Sequence, residues 1–393
     1  MKSTYKFRIY PSKDQISKLN NTLDTCRWVY NQTLSLRKES YEKNQLSLSK
    51  YDTHKYLTSW KDEHPFLREV NAQVLQNVQE RVDLAFQGFF RRVKNHENPG
   101  YPRFKGKGYY DSFTYPQYGF KILESKELYL SKIGNVKIKY HREIEGTIKR
   151  LTIQRTIRNK WYTCFSVVKD SLNEIQPNGL HGEAVLKHDG IMRAVGIDMG
   201  IKTFATLSDG NTIEYPFFFK EEQENLKRVQ QKLSKAKKGS REYIKHLKVV
   251  QRIHERTGFR RDNFAHQESK VLVNNYGLIC FEDLDTKSML ENGTKSLSRN
   301  IMDASWNKFL RLTQFKAESA GSRVVLVDPK NTSQICSRCG FKVVKDLKER
   351  THSCPMCGLE MDRDLNAALN ILRLGLQSVS VGSYRSPSLN AGE

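Results

Sequence analysis

The chain has 393 residues, more than a single hydrophobic core usually spans, so two or three domains are expected. A hydrophobic fraction of 38%, with 19 Phe and 18 Tyr, supplies real cores and excludes a disordered protein. Sixty-six Lys and Arg face 43 Asp and Glu, and the resulting charge of +23 favours a polyanionic partner, of which phosphate backbones are the commonest in a cell.

At the amino terminus Tyr5, Phe7 and Ile9 alternate with Lys6, Arg8 and Tyr10, which predicts a strand over 4–10 ended by Pro11-Ser12. There is no apolar core of a signal peptide here and no apolar run as long as a membrane span, so a soluble, cytoplasmic protein without a membrane partner is expected. From Lys13 the period becomes helical, with Ile16, Leu19, Leu23, Cys26, Tyr30 and Leu34 on one face. Val74, Val78, Val82, Ala85 and Phe89 mark a further helix, so residues 13–95 read as mostly helical with a looser middle around Pro65.

Between Asn98 and Phe120, Arg103, Lys105 and Lys107 alternate with aromatics and glycine. Such cations can hold phosphates while Tyr and Phe stack on bases. Taken alone, the stretch reads as an irregular loop with packed aromatics. Strand patterns return at 136–140 and 151–154, and 161–168 follows the turn Arg158-Asn159-Lys160 as the second arm of a hairpin. The strand at 4–10 lacks a local partner and is expected to join this sheet, giving a β-barrel with the helical segment inserted into it.

Residues 171–190 are polar and contain Gly and Pro, which places a domain boundary there. Ala194-Val195-Gly196-Ile197-Asp198 then opens a three-stranded antiparallel meander continued over 204–208 and 212–215. Residues 220–261 read as helical, broken at Gly239-Ser240, and carry fourteen Lys and Arg against five acids. A solvated face is the ordinary reading of a charge run, but so lopsided a surplus favours a phosphate-tracking surface, with Lys227, Arg228, Lys235, Lys237 and Lys238 as candidates. Next come a helix near 263–274, a strand over 278–281 ending in Glu282, a helix around Trp306, Phe309 and Leu310, a strand over 323–327, and a last helix from near Asp364. Ser and Gly dominate the end of the chain, and a disordered tail is expected over 376–393.

Three acids sit at element ends in the second half: Asp198 closes its first strand, Glu282 its fourth, and Asp364 starts its last helix. Strand ends of a mixed sheet are where side chains converge on a ligand. One Asp at a strand end is more often a turn or cap residue; the triplet, in order, on this element pattern carries the weight. Three carboxylates brought together repel one another unless cations neutralise them. Their oxygens suit Mg2+ or Mn2+, and two such ions about 3.5–4 Å apart can activate water and stabilise the leaving oxygen of a phosphodiester.

Cys336, Cys339, Cys354 and Cys357 form a C-x2-C…C-x2-C cluster, with Gly340 and Gly358 after the second cysteine of each pair. Fourteen residues separate the pairs, slightly under the usual zinc spacing of about 15–20. Two redox pairs are the alternative, but four thiolates with no open position indicate structural Zn2+. Cys26, Cys164 and Cys280 are scattered through apolar stretches and read as buried small apolar residues in a reducing compartment.

In combination, Gly196-Ile197-Asp198-Met199-Gly200, Phe281-Glu282-Asp283-Leu284, Thr332-Ser333-Gln334-Ile335-Cys336-Ser337-Arg338-Cys339-Gly340 and the run from Asp362 to Ile371 resemble TnpB (OrfB), a family encoded by insertion sequences and related to the type V CRISPR effector nucleases. Tyr10-Pro11-Ser12, Tyr30-Asn31 and Pro102-Arg103-Phe104-Lys105 match shorter signatures of the same family. The resemblance implies an α/β multidomain chain. A RuvC-like nuclease domain of RNase H-like fold would span 191–375, with a zinc-ribbon insertion at 330–360. A wedge β-barrel domain would be built from 1–12 and 98–175, with a helical recognition domain over 13–97 inserted into it.

It further implies an RNA-guided DNA endonuclease, monomeric in its complex and nucleoid-associated when bound to DNA. A guide RNA from the transposon end would pair with double-stranded target DNA while the protein reads a flanking motif. Asp198, Glu282 and Asp364 would be the catalytic ligands of Mg2+ (or Mn2+). The family's D-x-N spacing selects Asp364, with Asn366 two residues on; Asp362 is then a cap or support, or an assistant to the metal site. The alternatives are a nuclease-silent RNA-guided repressor, which the intact acids oppose, and a DNA transposase or accessory transposition protein, for which no synapsis signal is present.

Overall fold

The computed structural model describes residues 2–168, 193–346 and 349–380. The chain divides into two units between residues 177 and 178. The expected linker over 171–190 lies outside the described residues, as does 381–393 of the expected tail.

The first unit is an antiparallel sheet covered by helices. Strand β1 (Lys2–Tyr10) buries Tyr5, Phe7 and Ile9, the alternation seen in its sequence. The others are β2 (Ser112–Tyr115), β3 (Phe120–Ile122), β4 (Glu127–Leu130), β5 (Gly134–Ile138), β6 (Thr147–Arg155) and β7 (Trp161–Val168), in the order β2-β6-β7-β1-β5-β4-β3. The unpartnered first strand does join this sheet: Lys2 lies opposite Val168, Ile9 opposite Trp161, and Tyr10 opposite Lys137 of β5. The outer strands β2 and β3 are joined by a short turn, with the rings of Tyr115 and Phe120 6.3 Å apart and the Tyr115 hydroxyl donating to the Ser131 carbonyl at 2.9 Å. The sheet therefore curls into a nearly closed barrel. Strands β3 and β4 escaped the sequence reading because three or four residues are too few for a period to register.

Helix α1 (Lys13–Asn44) starts at Ser12, which forms a capping box with Gln15. The Gln15 amide also donates to the Asn135 carbonyl at 2.6 Å, fixing the helix start to β5. Helix α2 (Lys50–Glu63) and helix α3 (Ala72–Lys94) follow; α3 buries Val74, Leu75, Val78, Val82 and Phe86. From α3, Arg81 donates to the Ser112 carbonyl and the Thr114 hydroxyl on β2, both at 2.8 Å. The apolar residues of helices and barrel form one continuous core.

The second unit contains β8 (Ala194–Met199), β9 (Thr203–Leu207), β10 (Thr212–Glu214), α4 (Phe218–Lys235), α5 (Arg241–Asn275), β11 (Leu278–Glu282), α6 (Thr286–Asn292), α7 (Lys295–Ala304), α8 (Trp306–Ala320), β12 (Arg323–Val327), β13 (Thr351–Ser353), β14 (Glu360–Asp362) and α9 (Arg363–Ser380). The main sheet runs β10-β9-β8-β11-β12: an antiparallel meander, with β8, β11 and β12 parallel. Two expectations are corrected. The helices read as ending at 261 and restarting at 263 are one helix, α5, since Thr257 bonds back to the Ile253 carbonyl at 3.0 Å and Gly258 sits inside the helix without strain. Helix α9 runs to Ser380, into the stretch expected to be a disordered tail from 376, because Leu374 and Val379 pack against the sheet core. Helices α6 and α7 were also unforeseen; Asp285 and Thr294 cap them.

Strand β11, flanked by β8 and β12, is buried on both faces, which explains its unbroken apolar run Leu278-Ile279-Cys280-Phe281. Val195, Ile197, Ile279 and Phe281 join the core made with α5 and α8, whereas Leu278, Cys280, Val325 and Val327 pack with Ile371 of α9. Helix α9 crosses β8 so closely that a Cβ on Gly196 would lie 2.1 Å from the Ala368 carbonyl oxygen. Only glycine permits this approach.

Candidate active site

Strand alternation brings two of the acids together. Val195 and Ile197 turn to the α5 and α8 side, so Gly196 and Asp198 turn to α9. On β11 the same alternation sends Glu282 to the α9 side, after Leu278 and Cys280. The strands are parallel with Ile197 beside Phe281, so Asp198 and Glu282 occupy neighbouring strand ends. Asp364 stands in the first turn of α9, the helix lying on that face.

The electrostatics show the grouping. The Asp198 carboxyl is pushed up to about 8, first by burial and then by the Glu282 and Asp364 carboxylates, with Arg363 opposing and Asp362 adding to the rise. Burial also raises Glu282, against a lowering hydrogen bond from Thr332, whose hydroxyl donates to Oε1 at 2.5 Å. Asp364 is held by the adjacent guanidinium: Arg363 Nε and Nη2 donate to Oδ1 at 3.1 and 3.0 Å, and Arg350 lies 3.5 Å from Oδ2. Asp362 Oδ1 accepts from the backbone N–H groups of Asp364 and Leu365 at 2.8 and 3.1 Å, the bonding of a helix cap. Asp198 is thus raised by its two acidic neighbours, and all three side chains offer the hard oxygen that Mg2+ or Mn2+ prefers, whereas among the described residues only the four cysteines lie close enough together to share one ion. A cleft of about 210 Å³ opens beside them, lined by Lys202, Thr206, Arg350, Asp362 and Asp364 among others.

The four cysteines converge more tightly, their sulfur atoms all within 4.8 Å of one another. Cys336–Cys357 and Cys339–Cys354 are each 3.6 Å apart, far beyond a disulfide at about 2.05 Å. That separation matches the edge of an S4 tetrahedron around zinc, about 3.8 Å for a Zn–S bond of about 2.3 Å. Each pair closes the same turn: Gly340 N–H donates to the Cys336 carbonyl and Gly358 N–H to the Cys354 carbonyl, both at 2.9 Å, with φ of +78° and +67° at the glycines. The cluster therefore fits a structural zinc. Cys26 and Cys280 are buried and Cys164 half-buried, all as free thiols.

The basic candidates fall into two groups, one in each unit. In the first, Arg103 and Lys107 are exposed in an irregular segment, while Lys105 is half-buried, its backbone held by the Asn31 side chain at 2.8 and 3.0 Å. In the second, Lys227, Arg228 and Lys235 are exposed on α4, and Lys237 and Lys238 in the turn before α5. Arg256 and Arg260 of the same charge run are instead paired with Glu222 and Glu221. Sequence reasoning missed the groups that hold the acids: Thr332, Arg350 and Arg363. Arg363 beside Asp364 was the only available cue, since the other two meet their carboxylates through the fold.

Residues 185–293 match a family model described as OrfB_IS605, a probable transposase, and residues 306–371 match a Cas12f1-like TNB domain. Residues 1–45 match a model described as a helix-turn-helix domain, although here they form β1 and the single long helix α1. A Streptomyces pristinaespiralis protein named "Putative RNA-guided DNA endonuclease" is 30% identical over 98% of this chain and 92% of its own length. The Escherichia coli K12 protein "Putative RNA-guided DNA endonuclease InsQ" is 28% identical over 96% of this chain and 93% of its own. Among solved structures, the mini-RNA-guided endonuclease CRISPR-Cas_phi3 aligns over 96% of this chain and 92% of that one, with 12% identity and a TM-score of 0.48, too distant to bear on function. With a relative this similar over nearly its full length, the chain belongs to the TnpB (OrfB) family of insertion-sequence-encoded proteins.

Proposed function

We propose that this chain is an RNA-guided DNA endonuclease that hydrolyses phosphodiester bonds at Asp198, Glu282 and Asp364. The observation that carries the reading is the placement of Asp198 and Glu282 at neighbouring ends of parallel strands, facing the helix whose first turn carries Asp364, with the Asp198 carboxyl raised by burial and by the other two. The strand order of the second unit, a meander followed by two parallel strands beyond its first, supports a RuvC-like domain of RNase H-like fold. The barrel and helices of the first unit are read as wedge and recognition domains. The guide RNA would come from the transposon end, and the protein would act as a monomer on double-stranded DNA in the cytoplasm.

Bound Mg2+ or Mn2+ supplies Lewis acidity to the phosphoryl oxygens and lowers the pKa of water. To hold such an ion Asp198 would have to be deprotonated, which would link ion binding to proton release. Asp364 is kept oriented by Arg363, and the Thr332 hydroxyl fixes Glu282 Oε1. Lys202 and Arg350 line the adjoining cleft, where their charge suits the phosphates flanking the scissile bond.

Sequencing the RNA that copurifies with the protein, then offering a matching duplex with Mg2+, tests the whole reading. RNA-dependent cleavage that disappears in Asp198→Ala is expected. Full activity in that variant overturns the nuclease assignment, and cleavage without RNA overturns guidance.

A further inference from the structure

We propose that Thr332 is a positioning residue for Glu282, and that the segment from Thr332 to Ser337 links the zinc knuckle to the carboxylate site. The inference rests on the reading of Glu282 as an ion ligand. Thr332 is buried, at 3% exposure, and its hydroxyl is 2.5 Å from Glu282 Oε1. The Thr332 carbonyl accepts from Asn370 Nδ2 at 2.9 Å. Asn370 Nδ2 also reaches the Ile335 carbonyl at 2.6 Å, and Asn366 Nδ2 reaches that same carbonyl at 2.8 Å. Asn366 Oδ1 in turn accepts from the Ser337 N–H at 2.9 Å.

Asn366 and Asn370 are buried, one turn apart on α9, the helix that carries Asp364. They clamp the backbone on both sides of Cys336, the first thiolate of the cluster. Four thiolates are enough to hold zinc, so the zinc site does not require the Thr332 hydroxyl. What the clamped backbone does provide is a hydroxyl in fixed position against a buried carboxylate. Partners of this kind restrict a ligand to one orientation, and removing them typically costs about 10–100-fold in metal affinity.

A competing account is local: the same hydroxyl also lies 3.1 Å from the Pro329 carbonyl and could serve only the turn. Thr332→Ala and Thr332→Ser separate the two accounts, since both lose the methyl and differ by the hydroxyl alone. Mn2+ affinity of the RNA-bound protein, read from free-ion electron paramagnetic resonance, is measured alongside zinc content. The alanine variant is expected to bind Mn2+ about tenfold more weakly, and the serine variant to stay within about threefold of wild type, with zinc retained in both. Equal Mn2+ affinity in the two variants overturns the proposal. Zinc loss in the alanine variant alone also overturns it, making Thr332 part of the knuckle's own fold. Glu282→Gln is the control for the underlying reading: unchanged Mn2+ affinity there means that Glu282 is no ligand, whatever Thr332 does.

Discussion

Asp198 illustrates how one residue changes meaning between sequence and fold. As a strand-end acid it is commonplace; buried, and beside Glu282 and Asp364, its carboxyl keeps its proton to about 8. In magnesium-free buffer the folded chain therefore holds a proton that the unfolded chain gives up near 4. Between those values the folded state binds more protons, so the contribution of Asp198 to stability is full below about pH 4 and is lost as pH rises towards 8, by on the order of a few kcal/mol. Urea midpoints measured over the upper part of this range, about pH 6 to 8, where the thiolates keep their zinc, should show the decline. Asp198→Asn should flatten it, and Mg2+ should offset it at neutral pH. Asp362 has the opposite character, since its bonds are those of a cap. Asp362→Ala should lower stability by about 1 kcal/mol while Asp362→Asn retains the cap and nearly all of the stability. Mn2+ binding lost in the asparagine variant would identify Asp362 as a ligand.

At the level of elements, the site depends on α9 lying flat across β8. Gly196→Ala places a methyl 2.1 Å from the Ala368 carbonyl oxygen and 2.5 Å from the Leu372 nitrogen, backbone atoms that cannot turn aside. A loss of at least about 3 kcal/mol, read as a lowered Tm or insoluble protein, is expected. Gly196 was legible as part of a motif, but its reason was not, because the helix that needs it begins far along the chain. The knuckle makes a separate prediction. Cys354→Ser should abolish zinc retention, measured by metal analysis, and lower the midpoint of unfolding, since zinc binding contributes folding energy.

For the molecule as a whole, the charge of +23 makes nucleic-acid affinity a matter of salt. Binding measured in a filter or anisotropy assay should weaken by orders of magnitude between 50 and 200 mM salt, with a log–log slope of several units. Replacing Lys235, Lys237 and Lys238 together by Glu should flatten that slope if this exposed turn and helix end carry phosphate contacts. Among the described residues no helix is long and apolar enough to cross a membrane.

The zinc cluster was legible from its local spacing and the meander and barrel hairpin from their period of two, whereas the three acids were read from their order on the element pattern and from the family resemblance. Four thiolates in two C-x2-C pairs were enough to indicate structural zinc. What the tertiary structure decided is everything that depends on contact between distant segments. It set which face Asp198 and Glu282 share, put Arg363 and Arg350 on Asp364, and brought Thr332, whose carbonyl the buried Asn370 holds, to Glu282. It also carried α5 past its expected end and α9 into the expected tail, because buried neighbours outweigh weak local signals. Periodicity reports which way a side chain points; only packing determines what it meets.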